Sequence, residues 1–419
     1  MWKKYLNITP VIGSVALSLL LFQNCGGFES LSANRELSSS LPDGGLSEEL
    51  PGDGETEIYD ANGCPLDFGP GQNINPQNDL IYGLDRIKVN FGLAASSSYT
   101  CRADMPEPYR LDPVARPYED RAGYNAFMGN YWDFAFRLST ITDDYLRREP
   151  NQSAIAVCAQ DWIFSWASSN FLNEDAGSYI SRQGDYERLW AIAGFAMSYA
   201  RIRNDPGLDP AKKAMIDQWL LSSARKVNEF TTLRLEQDTD PTNNILYWSG
   251  LSILTTGLML DQQDLVDRGI ELYDIGLNEI QADGLLPLEL ARGENAFAYH
   301  NFATRPLVFM AEVAAPFGIN LYDRQNGKIK LLTARVIQGF SDFSSFPDNQ
   351  LQGTSSNPTY FLTDNSRQLD WMEAYYSRFP SPELKTILTS ARLTSDGKIK
   401  SSRQTGGNAT IAYGVKCLN

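Results

Sequence analysis

From Cys101 onward, apolar residues recur with helical spacing. Phe127, Tyr131, Phe134 and Leu138 fall three or four positions apart, as do Ile155, Ala159, Trp162, Ile163 and Trp166. That period puts the apolar side chains on one face of a helix. The pattern predicts helices over residues 124–147, 153–172, 186–203, 210–231, 245–260, 265–281, 296–315, 327–340, 369–379 and 382–392. Strand-like alternation is rare. Asp209-Pro210 supplies a helix start, and Gly207, Gly284 and Gly318 fall in loops. Helices joined by short loops pack as antiparallel hairpins. The expected fold is therefore all-α: hairpins arranged as an α/α barrel, an incomplete toroid whose interior forms a groove. No strict repeat is visible, which argues against a solenoid. Residues 349–365, rich in Ser, Thr and Asn, read as a long surface loop or a lid.

The first sixty residues follow other rules. Lys3 and Lys4 precede an apolar run over residues 11–22, too short to span a bilayer and suited to a secretory signal. Cys25-Gly26-Gly27 follows, and the whole resembles a bacterial lipoprotein signal; a plain secretory signal with an incidental cysteine is the alternative. The expectation is a leader over residues 1–25 ending at a lipidated Cys25. By the same resemblance, with no Asp after the cysteine, the address is the outer membrane, facing the periplasm or the cell surface. Residues 26–62 are rich in Ser, Gly, Pro and acid, too poor in apolar surface to offset ordering entropy, and read as a disordered tether. Residues 63–419 remain as one large domain.

Four further cysteines, Cys64, Cys101, Cys158 and Cys417, suggest two disulfides in an exported chain, with three connectivities open. A single histidine argues against a transition-metal site, and no cofactor is expected. The net charge of −15 gives no sign of nucleic-acid binding. Residues 1–60 carry nine acids and three bases, so the remainder still stands at −9. An enzyme acting on a polyanion would have to concentrate its basic residues in the groove.

Two stretches carry candidate chemistry. Arg292 and Tyr299 are seven residues apart, two helical turns, which would bring them onto one face of a continuous helix. A guanidinium there would favour the tyrosinate. Asn243, Asn244, Ile245, Tyr247 and Trp248 lie some fifty residues earlier. Removing a proton from the carbon beside a sugar carboxylate requires three things: a neutralised carboxylate, a proton acceptor, and a donor to the leaving oxygen. Cations and amides serve the first, and tyrosine serves the others. Glu289, Asp283 and Asp370 offer a hydrolase-type carboxylate pair instead, but their spacing singles out no two of them.

The phrase Leu-Pro-Leu-Glu-Leu-Ala-Arg-Gly through Ala-Tyr-His-Asn-Phe-Ala resembles the alginate lyases that cleave polymannuronate. So do Asn-Asn-Ile-Leu-Tyr-Trp, Cys158-Ala-Gln-Asp-Trp162 and Asp370-Trp371-Met372-Glu373-Ala374-Tyr375. The likeness runs from about Cys101 to Phe379. It implies a polysaccharide lyase acting by β-elimination, with Tyr299 as base and acid, Arg292 as neutralising cation and Asn244 as carboxylate donor. Asn243, Tyr247, Trp248, His300 and Arg116 would lie on the substrate side. Arg116 stands near the place of a groove lysine that this chain lacks, and His300 points about 100° away from Tyr299, which suits a supporting role. The family also pairs a cysteine early in the domain with one in a Cys-Ala-x-x-Trp helix, here Cys101 with Cys158, which would leave Cys64 with Cys417. The partners implied are an acidic polysaccharide and, through the lipid, a membrane; the chain is expected to be a monomer.

One departure matters. Where those enzymes read Asn-Asn-His, this chain has Ile245. Elimination from mannuronate or glucuronate is syn and needs one Tyr, whereas guluronate needs a base on the opposite face, a role suited to His. Activity is therefore expected on syn substrates only. The alternatives are a degenerate lipoprotein that binds acidic glycans without cleaving them, and a glycoside hydrolase on the same toroid.

Overall fold

A computed structural model describes residues 94–95, 99–111, 116–117, 119–149, 152–173, 182–238, 241–346, 357–394, 397–414 and 418. The expected leader and tether, with Cys25, Cys64 and Cys417, lie outside these residues.

The long helices come in pairs. Helices α1 (Arg121–Arg147) and α2 (Gln152–Ser169) form the first hairpin, α3 (Gln183–Ile202) and α4 (Pro210–Gln237) the second, and α5 (Asn244–Met259) and α6 (Gln263–Glu279) the third. The short α7 (Pro287–Leu290) leads into α8 (Ala296–Ala314), which pairs with α9 (Ile329–Ser341). After α10 (Pro358–Thr363), α11 (Asp370–Tyr376) pairs with α12 (Pro382–Leu393), and α13 (Ala409–Ala412) follows near the end.

Burial sorts these helices into two layers. Every residue of α5 and α8 is buried, whereas α6, α9 and α12 bury one face. A helix apolar on all sides must be enclosed, and an amphipathic one must cover it. The inner helices α1, α3, α5, α8 and α11 each pack against the next, and α13 touches both α11 and α1, bridging the gap in the ring. This is the α/α toroid that the helical spacing implies. A disulfide between Cys101 and Cys158 ties the segment before α1 to α2. Small residues allow close packing of α5 on α6: a Cβ on Gly269 would lie 2.6 Å from that of Leu254.

Helix ends follow the local chemistry. Asp209 Oδ1 accepts from the Ala211 and Lys212 amides at 2.8 and 3.0 Å, with Pro210 at the first helical position, a standard N-cap. The helix predicted over 153–172 stops at Ser169 because Asn170 and Leu172 adopt φ of 53° and 71°. The loop expected over 349–365 is corrected by α10, started by the Asn357 side chain accepting from the Tyr360 amide at 2.9 Å and anchored by buried Phe361.

The loop of residues 399–408 closes one side of the ring through buried polar contacts. Asp143 of α1 pairs with Arg201 of α3 and accepts from the Asn408 amide. Arg305 of α8 forms a bidentate pair with Asp370 at 2.8 Å and also donates to Ser402 Oγ and Gln404 Oε1.

Candidate functional site

The site is built where the segment before α8 meets the start of α5. Gly284, at φ +81°, turns the chain back from α6, and Pro287 opens the four-residue α7. The helix expected over 296–315 is found at Ala296–Ala314, so Arg292 and Tyr299 do not share one continuous helix. Instead Arg292 precedes a 3₁₀ turn, Gly293–Asn295, in which Gly293 takes φ +57°, and α8 begins only at Ala296. The pair is nonetheless made: the guanidinium carbon of Arg292 lies 4.9 Å from the centre of the Tyr299 ring, within cation–π range. A turn brings them together, not a shared helical face.

Glu289 joins this pair to α5. Its side chain is fully buried, with Oε2 3.6 Å from Arg292 Nε. Its Oε1 accepts from the Asn244 backbone N–H at 2.7 Å and from Asn244 Nδ2 at 3.0 Å. Burial pushes the Glu289 carboxyl above its ordinary range, while Arg292 and the two Asn244 donors pull it back. One Asn244 amide hydrogen is thus committed to Glu289, and Oδ1 has no hydrogen-bond partner, in a side chain that is itself fully buried. Asn244, Arg292 and Tyr299 therefore converge, through a residue the sequence offered only as a hydrolase acid.

Several other expected site residues make contacts within the fold. Asn243 is the N-cap of α5: its Oδ1 accepts from the Ile245 amide at 3.1 Å and lies 3.4 Å from an Arg234 Nη donor. Tyr247 is 1% exposed, and its hydroxyl donates to the Thr242 carbonyl at 2.8 Å. Burial, then the Glu289 charge, pushes that phenol well above its usual value. Trp248 is fully buried, 5.2 Å from Phe302 and 5.1 Å from the Arg305 guanidinium.

His300 is also withdrawn from the substrate side. Its Nε2 accepts from the Leu286 amide at 2.9 Å, and Nδ1 lies 2.7 Å from the Ala296 carbonyl. Both ring nitrogens are used, and burial lowers its pKa to about 4. Ile245 is 2% exposed and packs in the core. Arg116 lies in the turn before α1, with Glu119 4.0 Å away.

Sequence reasoning missed two features besides the linking role of Glu289. A cavity of about 380 Å³ is lined by Trp132, Asp133 and Phe136 of α1 and by Arg367, Ser401 and Arg403, with the Arg403 guanidinium 4.9 Å from the Trp132 ring centre. Separately, Trp190, on α3, meets Phe302 at 6.1 Å, one turn along α8 from Tyr299. The α1 residues are spaced along one helix face, but Arg367 and Arg403 reach it only through the C-terminal segments. Among the described residues, no group of three or more His, Cys, Asp or Glu side chains is placed to hold a metal ion.

The sequence profile of the alginate lyase family matches residues 106–346. A polysaccharide lyase of Stenotrophomonas maltophilia is 34% identical over 247 residues, 59% of this chain and 70% of that protein. An alginate lyase of Pseudomonas fluorescens is 30% identical over 322 residues, covering 73% and 82%. An alginate lyase of Cobetia marina is 31% identical over 223 residues, of which the match spans 57% of its length. Among solved structures, alginate lyase A1-III from Sphingomonas species A1 superposes with a TM-score of 0.65 at 22% identity, over 82% of this chain and 99% of that one. A histidine-to-alanine variant of A1-III, complexed with a tetrasaccharide, also gives 0.65.

Proposed function

The chain belongs to the alginate lyase family, and from that premise we propose that it cleaves polymannuronate by syn β-elimination, with Tyr299 as both proton acceptor and donor. The observation that carries this reading is the convergence of Asn244, Arg292 and Tyr299 from two distant segments. Arg292 and the second amide hydrogen of Asn244 would neutralise the sugar carboxylate and stabilise the charge that develops at C5. The Tyr299 oxygen takes the C5 proton, and the C5–H electrons form the C4=C5 double bond. The C4–O4 bond breaks, and the proton passes to O4. The cavity carrying Arg367 and Arg403 would hold an acidic sugar further along the chain, which suits a protein whose net charge is otherwise negative.

Ile245 supports the restriction to syn substrates, since its buried alkyl group has no proton to exchange. It also motivates a second reading, binding of acidic glycan without turnover. One assay separates them. Mature protein is incubated with polymannuronate, glucuronan and polyguluronate, and the absorbance of the new double bond is followed. Turnover is expected on the first two and not the third, abolished in Tyr299→Phe and raised in Ile245→His. Cleavage of polyguluronate, or full activity in Tyr299→Phe, refutes the mechanism; binding without cleavage of any uronan favours the second reading.

A further inference from the structure

We infer that Glu289 is a positioning residue for substrate, the group that aims Asn244 and Arg292 at a uronate carboxylate; this rests on the lyase reading above. A fully buried carboxylate beside the place where another carboxylate must bind is, at first sight, a liability. Its contacts explain it. Arg292 belongs to no helix, so the backbone alone does not fix its side chain, and Glu289 lies three residues before it with Oε2 3.6 Å from Nε. The Asn244 side chain is oriented by Glu289 through Nδ2 at 3.0 Å, while its Oδ1 has no hydrogen-bond partner.

An amide held from one side only by an anion keeps its nitrogen toward that anion. Without the anion no hydrogen bond fixes which end of the amide, donor or acceptor, meets an incoming carboxylate. Glu289 also accepts from the Asn244 backbone N–H at 2.7 Å. It thereby anchors the first residue of α5 to the segment that carries Arg292 and Tyr299. One side chain thus sets both charge-neutralising groups.

The test is Glu289→Gln in the full chain, which keeps an acceptor for Asn244 but removes the charge facing Arg292. Turnover is measured on polymannuronate. Binding of a mannuronate tetrasaccharide and of its carboxyl-reduced counterpart is measured by calorimetry in the Tyr299→Phe background, where the sugar survives. The expected result is a fall in kcat/KM of about tenfold or more, short of the roughly 10²–10³ lost with a direct donor. Affinity for the charged tetrasaccharide falls with it, and affinity for the reduced one does not change. Unchanged kcat/KM and binding, or equal loss for both sugars, overturns the proposal. If wild type shows no turnover but the charge-selective loss of binding appears, the positioning role stands and the lyase reading fails. If wild type binds neither sugar, both fall. Should Glu289→Gln not fold, Glu289→Asp, which keeps the charge but withdraws it by one methylene, is read by the same criteria.

Discussion

His300 makes the protein's stability pH-dependent in a way that can be isolated, because it is the only histidine in the chain. The imidazole is fully buried, with both nitrogens bonded and the Phe346 ring 5.0 Å away. Burial lowers its pKa from 6.5 to about 4; the Ala296 carbonyl and Asp283 oppose the shift, and Arg335 assists it. The folded state therefore holds the neutral ring, while the unfolded chain takes up a proton below its ordinary pKa. The stabilisation is complete above 6.5 and is lost as pH falls toward 4. At about 1.4 kcal/mol per pH unit, the loss amounts to about 3 kcal/mol.

Urea unfolding of wild type and His300→Gln at about pH 7.5 and about pH 4 measures this directly. Other titrating groups, including Asp104 and Asp209 with lowered pKa and Glu289 and Asp143 with raised pKa, contribute to both proteins and cancel in the difference. The variant forfeits a pH-independent amount for its altered hydrogen bonds, about 1–3 kcal/mol, but its disadvantage should shrink by about 3 kcal/mol on acidification. A constant difference across that range, or imidazole proton resonances of the folded protein that titrate near 6.5, would refute the reasoning. The same result would return His300 to the list of groups able to exchange protons in the site.

Two further outcomes are expected. Arg305→Met leaves Asp370 buried without its bidentate partner and releases Ser402 and Gln404 of the closing loop; breaking a buried pair in this way costs about 3–5 kcal/mol, read as a lower denaturant midpoint. Metabolic labelling with a fatty-acid probe should mark the wild-type protein and spare Cys25→Ser, and equal labelling of both would remove the lipid anchor from the account.

Much of the architecture was legible in the sequence because helical periodicity is local. The spacing of Phe127, Tyr131 and Phe134 in α1 and the Asp209-Pro210 start of α4 specify their helices without reference to the rest of the chain. The family phrase likewise singles out Asn244, Arg292 and Tyr299 from the sequence alone. Sequence could not say how these residues meet. Arg292 lies before the start of α8, and it pairs with Tyr299 across the 3₁₀ turn that contains Gly293. Nor could a one-dimensional pattern tell an inner helix from an outer one: Tyr247 and Trp248 look like groove aromatics until α3, α6 and α8 enclose α5 on every side. The role of Glu289 is the clearest case. Its partner Asn244 lies 45 residues away, and a carboxylate in an acid-rich chain acquires meaning only when burial strips it of water and leaves it those few donors. Local chemistry wrote the helices and the reactive residue types; long-range packing decided which of them meet, because only the closed ring fixes which side chains lose their solvent.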